Sequence, residues 1–366
     1  MNGGSHRILF IDFWDAPDDP GRVSGPGLAL LRDAEVTRLP LRGVDRALLR
    51  ERIAPALADV DALVVSPWSQ FPYPLTAAEL DAAPRLRVIA GTFDNRFANW
   101  VDLAELARRG ITLIDTSRNM TPSVAEFALA MTLNLLRDIP FLIEETRQGR
   151  WQPDGHASRP VADFVHGDLS GKRIALAGFG SINRRYAQLA APFGVRQIAC
   201  DPNVGDQVLA EYGVERCDSL VELARQAEIF VVGIPPTPAT LEIISAEVLD
   251  ALPRGSLFVL VTRMAVVHQP TLWRRLAGDE LRAAIDVFEP EPPPADAWFR
   301  RHRHCLPTPH IAGGVFYCHE RCFTVACRDA IAVLNGGTAE YQATPRDVAL
   351  YAGQHVGDAT EKMERK

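Results

Sequence analysis

Arg173-Ile174-Ala175-Leu176-Ala177-Gly178-Phe179-Gly180-Ser181-Ile182-Asn183 joins a short apolar run to a turn punctuated by two glycines. Arg184 to Phe193 then reads as a helix, and a second short apolar run closes on Asp201. Strand, glycine turn, helix and a second strand ending on an acid form the layout of a dinucleotide-binding βαβ unit. The first glycine makes the tight turn. The second lets the backbone approach a pyrophosphate, which the amides at the helix start hold. Asp201 lies 23 residues beyond Gly178, where a carboxylate reaches the adenosine ribose hydroxyls. An acid there favours NAD, because the additional phosphate of NADP calls for a nearby arginine.

Working outward from this unit, both flanks alternate strand-like and helix-like segments. Before it, Arg7–Phe13, Val36–Leu39, Ala62–Ser66, Arg87–Ala90 and Ile111–Ile114 read as strands. Gly27–Arg32, Val44–Ile53, Thr76–Asp81 and Asn99–Arg109 read as helices between them. Ser123–Arg147 reads as one long amphipathic helix, opened by a Ser123/Glu126 capping box and bent at Pro140. After it come strands at Gln197–Cys200, Ile229–Ile234, Leu257–Val261 and Leu281–Ile285. Pro292-Pro293-Pro294 ends that series in a loop, and a last helix spans Val315–Asn335. Repeated βα units imply parallel sheets with helices on both faces.

The bulk numbers agree. A chain of 366 residues, 47% hydrophobic and 23% charged, is long enough for about two domains. The net charge of −7 offers no global attraction to nucleic acid or an anionic membrane. The first apolar run, Ile8 to Ile11, stops at Asp12, so it reads as a strand and not a signal peptide. Six scattered cysteines suit free thiols in the reducing cytoplasm, the expected location.

Three fragments after the glycine turn carry chemistry. Phe258 to Arg263 is a strand that delivers an arginine. Ala283 to Pro292 contains Asp286, Glu289 and Glu291, and Leu306 to Gly313 contains His310. Ligands of open α/β sheets bind beyond the carboxyl ends of the strands, where these residues fall. A guanidinium grips a carboxylate with a two-point fork, and an imidazole near neutral pH donates a proton to a carbonyl oxygen. A carboxylate paired with that imidazole fixes the ring. Glu289 is expected to be a solvated loop acid.

These residues, with Val124-Ala125-Glu126, Gly149, Trp151, Gly171-Lys172, Ile234-Pro235, Thr240 and Thr308-Pro309-His310, make the chain similar to the D-isomer-specific 2-hydroxyacid dehydrogenases. That family includes D-lactate, phosphoglycerate and hydroxypyruvate/glyoxylate enzymes. The resemblance implies an α/β fold of two Rossmann-like or flavodoxin-like doubly wound parallel-sheet domains with an active-site cleft between them. It implies a substrate domain from residues 1–122 and 315–345, an NAD-binding Rossmann domain from 123–314, and a tail from 346–366. Catalysis falls on Arg263, Glu291 and His310. NAD(H) contacts fall on Gly178, Gly180, Ser181, Ile182, Asp201, Pro202, Ile234, Pro235, Thr240, Val261, Thr262, Arg263, Asp286, His310 and Gly313, with Asp286 holding the nicotinamide carboxamide. The substrate is a 2-keto or 2-hydroxy acid, and the assembly is a homodimer through the NAD domains. No nucleic-acid or membrane partner is expected.

The chain departs from the family pattern at Asn183, Leu260 and Met264, where the family usually has Gly, Asn and Gly. Asn183 is expected to fit if its helix moves slightly outward. The first-domain loop Gly91 to Asn99 lacks its usual central glycines and carries Arg96 and Phe97, which we read as substrate-binding, with Arg96 meeting a second anionic group. The alternative readings are a non-catalytic NAD-sensing protein like the related co-repressors, and a phosphite-type dehydrogenase. Cys318 and Cys322 stand four apart on the last helix, among other Cys and His residues. Their spacing suits buried thiols better than zinc, and no metal is expected.

Overall fold

The computed structural model describes residues 5–13, 25–67, 73–93, 101–151 and 164–344. Among them, the residues up to Met120 together with those from Gly314 form one unit, and Thr121–Gly313 form a second.

The first unit is built on a five-stranded sheet: β1 (Arg7–Asp12), β2 (Glu35–Pro40), β3 (Ala62–Val65), β4 (Val88–Gly91) and β5 (Thr112–Asp115). The strands lie in the order β2-β1-β3-β4-β5 and all pair in parallel. β3 and β4 are buried along their whole length, as parallel strands covered on both faces must be. The helix Phe316–Leu334, from the far end of the chain, covers one face. Its Phe323, Ala326, Cys327, Ala330 and Leu334 recur at helical spacing and pack on Ile8, Phe10, Val64 and Ala90. Cys318, Cys322 and Cys327 are buried on this helix.

The second unit carries seven strands: β6 (Arg173–Ala177), β7 (Arg196–Cys200), β8 (Glu215–Arg216), β9 (Ile229–Val232), β10 (Leu257–Leu260), β11 (Arg282–Ile285) and β12 (Cys305–Pro307). Their order is β12-β11-β10-β9-β6-β7-β8, again all parallel. From β6 the chain moves outward to β7 and β8, then returns to β9 on the other side. The topological switch point therefore lies at the carboxyl end of β6, where Gly178 begins its turn. Leu260 and Met264, two of the family departures, are both buried in the apolar core of this unit. Their side chains fill space in that core.

Several local expectations need correction. Ser123–Arg147 is two helices, Thr121–Leu136 and Ile139–Arg147. A turn of 3-10 helix, Thr116–Met120, feeds directly into the first, so Ser123 lies inside it and not ahead of it. The break falls at Asp138, whose φ of 51° is left-handed. Pro140 does not bend a helix: it sits in the first turn of the second one, where its missing N–H costs nothing. The sheet also continues past the triple proline into β12, and the short edge strand β8 was not anticipated. Strands of two or three residues carry too little periodicity to be read. Among the described residues no helix is long and apolar enough to cross a membrane.

Asp138 has a further role. Its carboxylate pairs through Oδ1 with Arg282 at the buried start of β11, and Arg303 lies 3.5 Å from Oδ2. The β11–β12 register places His304 beside Arg282 across the ladder, with Phe164 stacked on the imidazole at 4.4 Å. Burial, and next the positive charge of Arg282, lower the His304 pKa to about 4. The folded chain therefore binds fewer protons than the unfolded chain between about pH 6.5 and pH 4. We predict that the stabilisation from neutral His304, on the order of 2 kcal/mol, is complete above pH 6.5 and lost as pH falls through that window. Urea unfolding of the wild type and His304→Gln at pH 7 and pH 4.5 checks this; a wild-type decline as shallow as the variant's would contradict it.

Candidate active site

Gly178 ends β6 with φ of 79°, in the left-handed region. A Cβ there would stand 2.9 Å from Ile234 Cγ1 and 3.1 Å from the Gly233 carbonyl, so a side chain is excluded both by conformation and by space. Gly180 differs. It is exposed, and a Cβ built on it would meet nothing within 4 Å. Gly180 is also the N-cap of the helix Ser181–Ala190 and supplies no side-chain cap to the first-turn amides. Such a bare helix start fits a pyrophosphate.

Asn183, expected to fit by an outward shift of its helix, finds room in this structure beside Gly233. It is fully buried, and its Nδ2 donates to the carbonyls of Gly178 at 2.7 Å and Ala177 at 3.3 Å. The room comes from the opposite side. A Cβ on Gly233 would lie only 2.3 Å from Asn183 Nδ2, so a side chain at 183 depends on the absence of one at 233.

Asp201 stands just beyond β7. One carboxylate oxygen accepts from the Phe179 N–H at 2.7 Å, and the other accepts from the Asn203 N–H at 2.8 Å. It thus fastens the glycine turn to the end of β7, and the remaining lone pairs suit ribose hydroxyls. Pro202 beside it is exposed. After β9, the Thr240 hydroxyl donates to the Pro235 carbonyl at 2.6 Å and accepts from the Thr237 N–H at 2.7 Å, closing the loop that carries Ile234. Thr262 donates back to Val232 at 3.3 Å, next to buried Val261.

Arg263 follows β10 in an extended conformation, half-buried, with Nη1 donating to the Thr262 carbonyl at 2.7 Å. His310 and Glu291 meet: His310 Nδ1 lies 2.9 Å from both Glu291 carboxylate oxygens. Glu289, two residues earlier, is exposed. His310 itself has φ of 54°, a left-handed conformation that costs a non-glycine residue on the order of 1 kcal/mol.

Asp286 holds that conformation in place. It is fully buried at the end of β11 and accepts three hydrogen bonds from the histidine loop: Thr308 Oγ1 at 2.6 Å, Ile311 N–H at 3.0 Å and Ala312 N–H at 2.8 Å. The donors flank His310 on both sides. Gly313 follows, half-buried. The positioning role of Thr308 was not read from the sequence; the only cue was its place two residues before the histidine. Arg96 and Phe97 lie outside the described residues.

Residues 129–312 match the model of the D-isomer specific 2-hydroxyacid dehydrogenase NAD-binding domain. The chain belongs to that family. Glyoxylate reductase of Thermococcus kodakarensis is 31% identical to this dehydrogenase over 296 residues, covering 80% of this chain and 85% of the relative. D-3-phosphoglycerate dehydrogenase of Methanocaldococcus jannaschii is 27% identical, covering 81% and 54%. Among solved structures, the D-mandelate dehydrogenase of Rhodotorula graminis superposes with a TM-score of 0.76 at 21% identity, over 93% of this chain and 98% of the other, which speaks for the fold. The protein is thus an NAD-dependent oxidoreductase of two parallel-sheet α/β units, and NAD(H) is its cofactor.

In this dehydrogenase, Asp286→Ala removes the acceptor of two backbone donors, one of them on buried Ala312, and of one hydroxyl. We predict a stability loss of about 3 kcal/mol, from unsatisfied donors near 1–3 kcal/mol each and partial relaxation of the loop. Chemical denaturation measures it. A loss below about 0.5 kcal/mol would show that the loop keeps its shape without the carboxylate.

Proposed function

We propose that this dehydrogenase reduces a small 2-keto acid to its D-2-hydroxy acid, with Arg263 binding the substrate carboxylate and His310–Glu291 delivering the proton. The observation that carries the reading is the His310–Glu291 pair. Both carboxylate oxygens lie 2.9 Å from Nδ1, which favours a proton on Nδ1 and leaves Nε2 of the part-exposed ring for the substrate. The carboxylate stabilises the imidazolium before proton transfer and holds the ring plane throughout. Arg263 leaves a half-buried guanidinium at the carboxyl end of the sheet, suited to a two-point grip on a carboxylate. NADH, when bound, supplies the hydride to the carbonyl carbon. The residues that would hold it are Gly178, Gly180 and Asp201 at its pyrophosphate and adenosine end, with the loop carrying Ile234, Pro235 and Thr240 beside them. The names of the relatives support small substrates such as glyoxylate.

We also propose a homodimer formed through the cofactor unit. The helix Ile139–Arg147 supports it: none of its residues is buried, Ile139 and Ile143 are exposed, and Trp151 just beyond it is 79% exposed. Such an apolar face calls for a cover. Sedimentation velocity should find a dimer in the wild type and a monomer in Ile143→Asp; a wild-type monomer would refute this assembly.

The chemical test is an NADH-oxidation screen with glyoxylate, hydroxypyruvate, pyruvate, oxaloacetate and phosphonopyruvate. Turnover with at least one is expected. With that substrate, His310→Ala should lower kcat by about 10²- to 10⁴-fold and leave the NADH Kd within about twofold. A kcat loss under about fivefold would remove His310 from the proton step.

A further inference from the structure

Cys200 ends β7, and Cys217 follows β8. The parallel register pairs Ile198 with Glu215 and Ala199 with Arg216, so the next step sets Cys200 opposite Cys217. The ladder does continue: the Cys217 N–H donates to the Ala199 carbonyl at 2.8 Å. Both side chains pack against the same apolar core, so they share one face of the sheet. Neighbouring strands lie about 4.8 Å apart, inside the range of about 4.4–6.8 Å between Cα atoms that a disulfide spans. These two cysteines are half-buried, whereas Cys305, Cys318, Cys322 and Cys327 are buried.

We propose that Cys200 and Cys217 form a reversible disulfide across the β7–β8 edge, and that closing it weakens dinucleotide binding at Asp201. The second half rests on reading Asp201 as the ribose acid. The mechanical link is short. The Cys200 carbonyl accepts from the Gly178 N–H at 2.9 Å, and the next residue, Asp201, accepts from the Phe179 N–H. Arg216, directly before Cys217, donates to the Asp201 carbonyl at 3.3 Å. A bond that locks Cys200 to β8 therefore constrains the glycine turn and the ribose acid together. β8 is a two-residue strand at the sheet edge, paired on one side only.

The oxidant is a hydroperoxide. The Cys217 thiolate attacks the terminal peroxide oxygen, the O–O bond breaks, and an alcohol (water, for hydrogen peroxide) departs after protonation. The resulting sulfenic acid is attacked by Cys200 sulfur. The S–S bond forms, the S–O bond breaks and water leaves. Two thiols are oxidised and one peroxide is reduced. Burial pushes the Cys200 thiol up to about 11, which makes it the resolving sulfur. A dithiol reverses the bond by exchange.

The test uses this protein, treated with hydrogen peroxide or with dithiothreitol. Peptide mass spectrometry should show the Cys200 and Cys217 peptides joined, with the loss of two hydrogens. The NADH Kd, from protein fluorescence, should rise about tenfold and recover with dithiothreitol. Cys217→Ser should bind NADH like the reduced wild type and ignore peroxide. Absence of the joined peptides overturns the disulfide. Joined peptides with an unchanged NADH Kd overturn the switch. Reduced Asp201→Ala separates the two readings: normal NADH affinity there removes the ribose role and the switch that rests on it, while the mass spectrum still judges the disulfide.

Discussion

The site depends on one buried carboxylate. Asp286 sits at the end of β11 with no solvent contact, and its oxygens take donors from both sides of His310. A left-handed histidine would relax if its loop were free. Three charge-assisted hydrogen bonds in a low-dielectric setting outweigh a backbone cost of about 1 kcal/mol. The ring is thereby presented to Glu291, which orients it at Nδ1. The acid–base pair is thus held at the backbone by one acid and at the ring by another.

The fold was largely legible because parallel sheets announce themselves. Val231, Val259 and Ala284 belong to runs buried on both faces, and such runs are apolar throughout. The Gly178 turn was legible because its first glycine has no substitute. What escaped was short-range or compensatory. Asp138 could not be foreseen as a helix break, since its left-handed backbone is bound up with the buried pairing to Arg282, far away in sequence. The hold of Asp286 on Thr308 and the amides of Ile311 and Ala312 is likewise a contact across 22 to 26 residues that no local pattern encodes.

Arg263, Asp286, Glu291 and His310 all belong to the unit that also carries the glycine turn. The strands delivering them are neighbours: β10 leads to Arg263, β11 to Asp286, and β12 to the histidine loop. The strand ends from which these residues are delivered are therefore spaced by sheet geometry, about 4.8 Å per strand, and the Asp286 hydrogen bonds fix the histidine loop beyond them. A sheet is a stiff ruler, and that suits groups that must be held to fractions of an ångström for proton transfer.

Asn183 and Gly233 have an implication for how this sequence could have arisen. The two positions share one volume, so the larger residue can occupy only one of them at a time. From an ancestor with glycine at 183 and a side chain at 233, mutation to Asn at 183 first would force two groups into the same space. Mutation to glycine at 233 first leaves only a small void, which Asn183 then fills while capping two carbonyls. Steric exclusion therefore ties the two positions together: a side chain at 233 has no room for as long as Asn183 stands where it does.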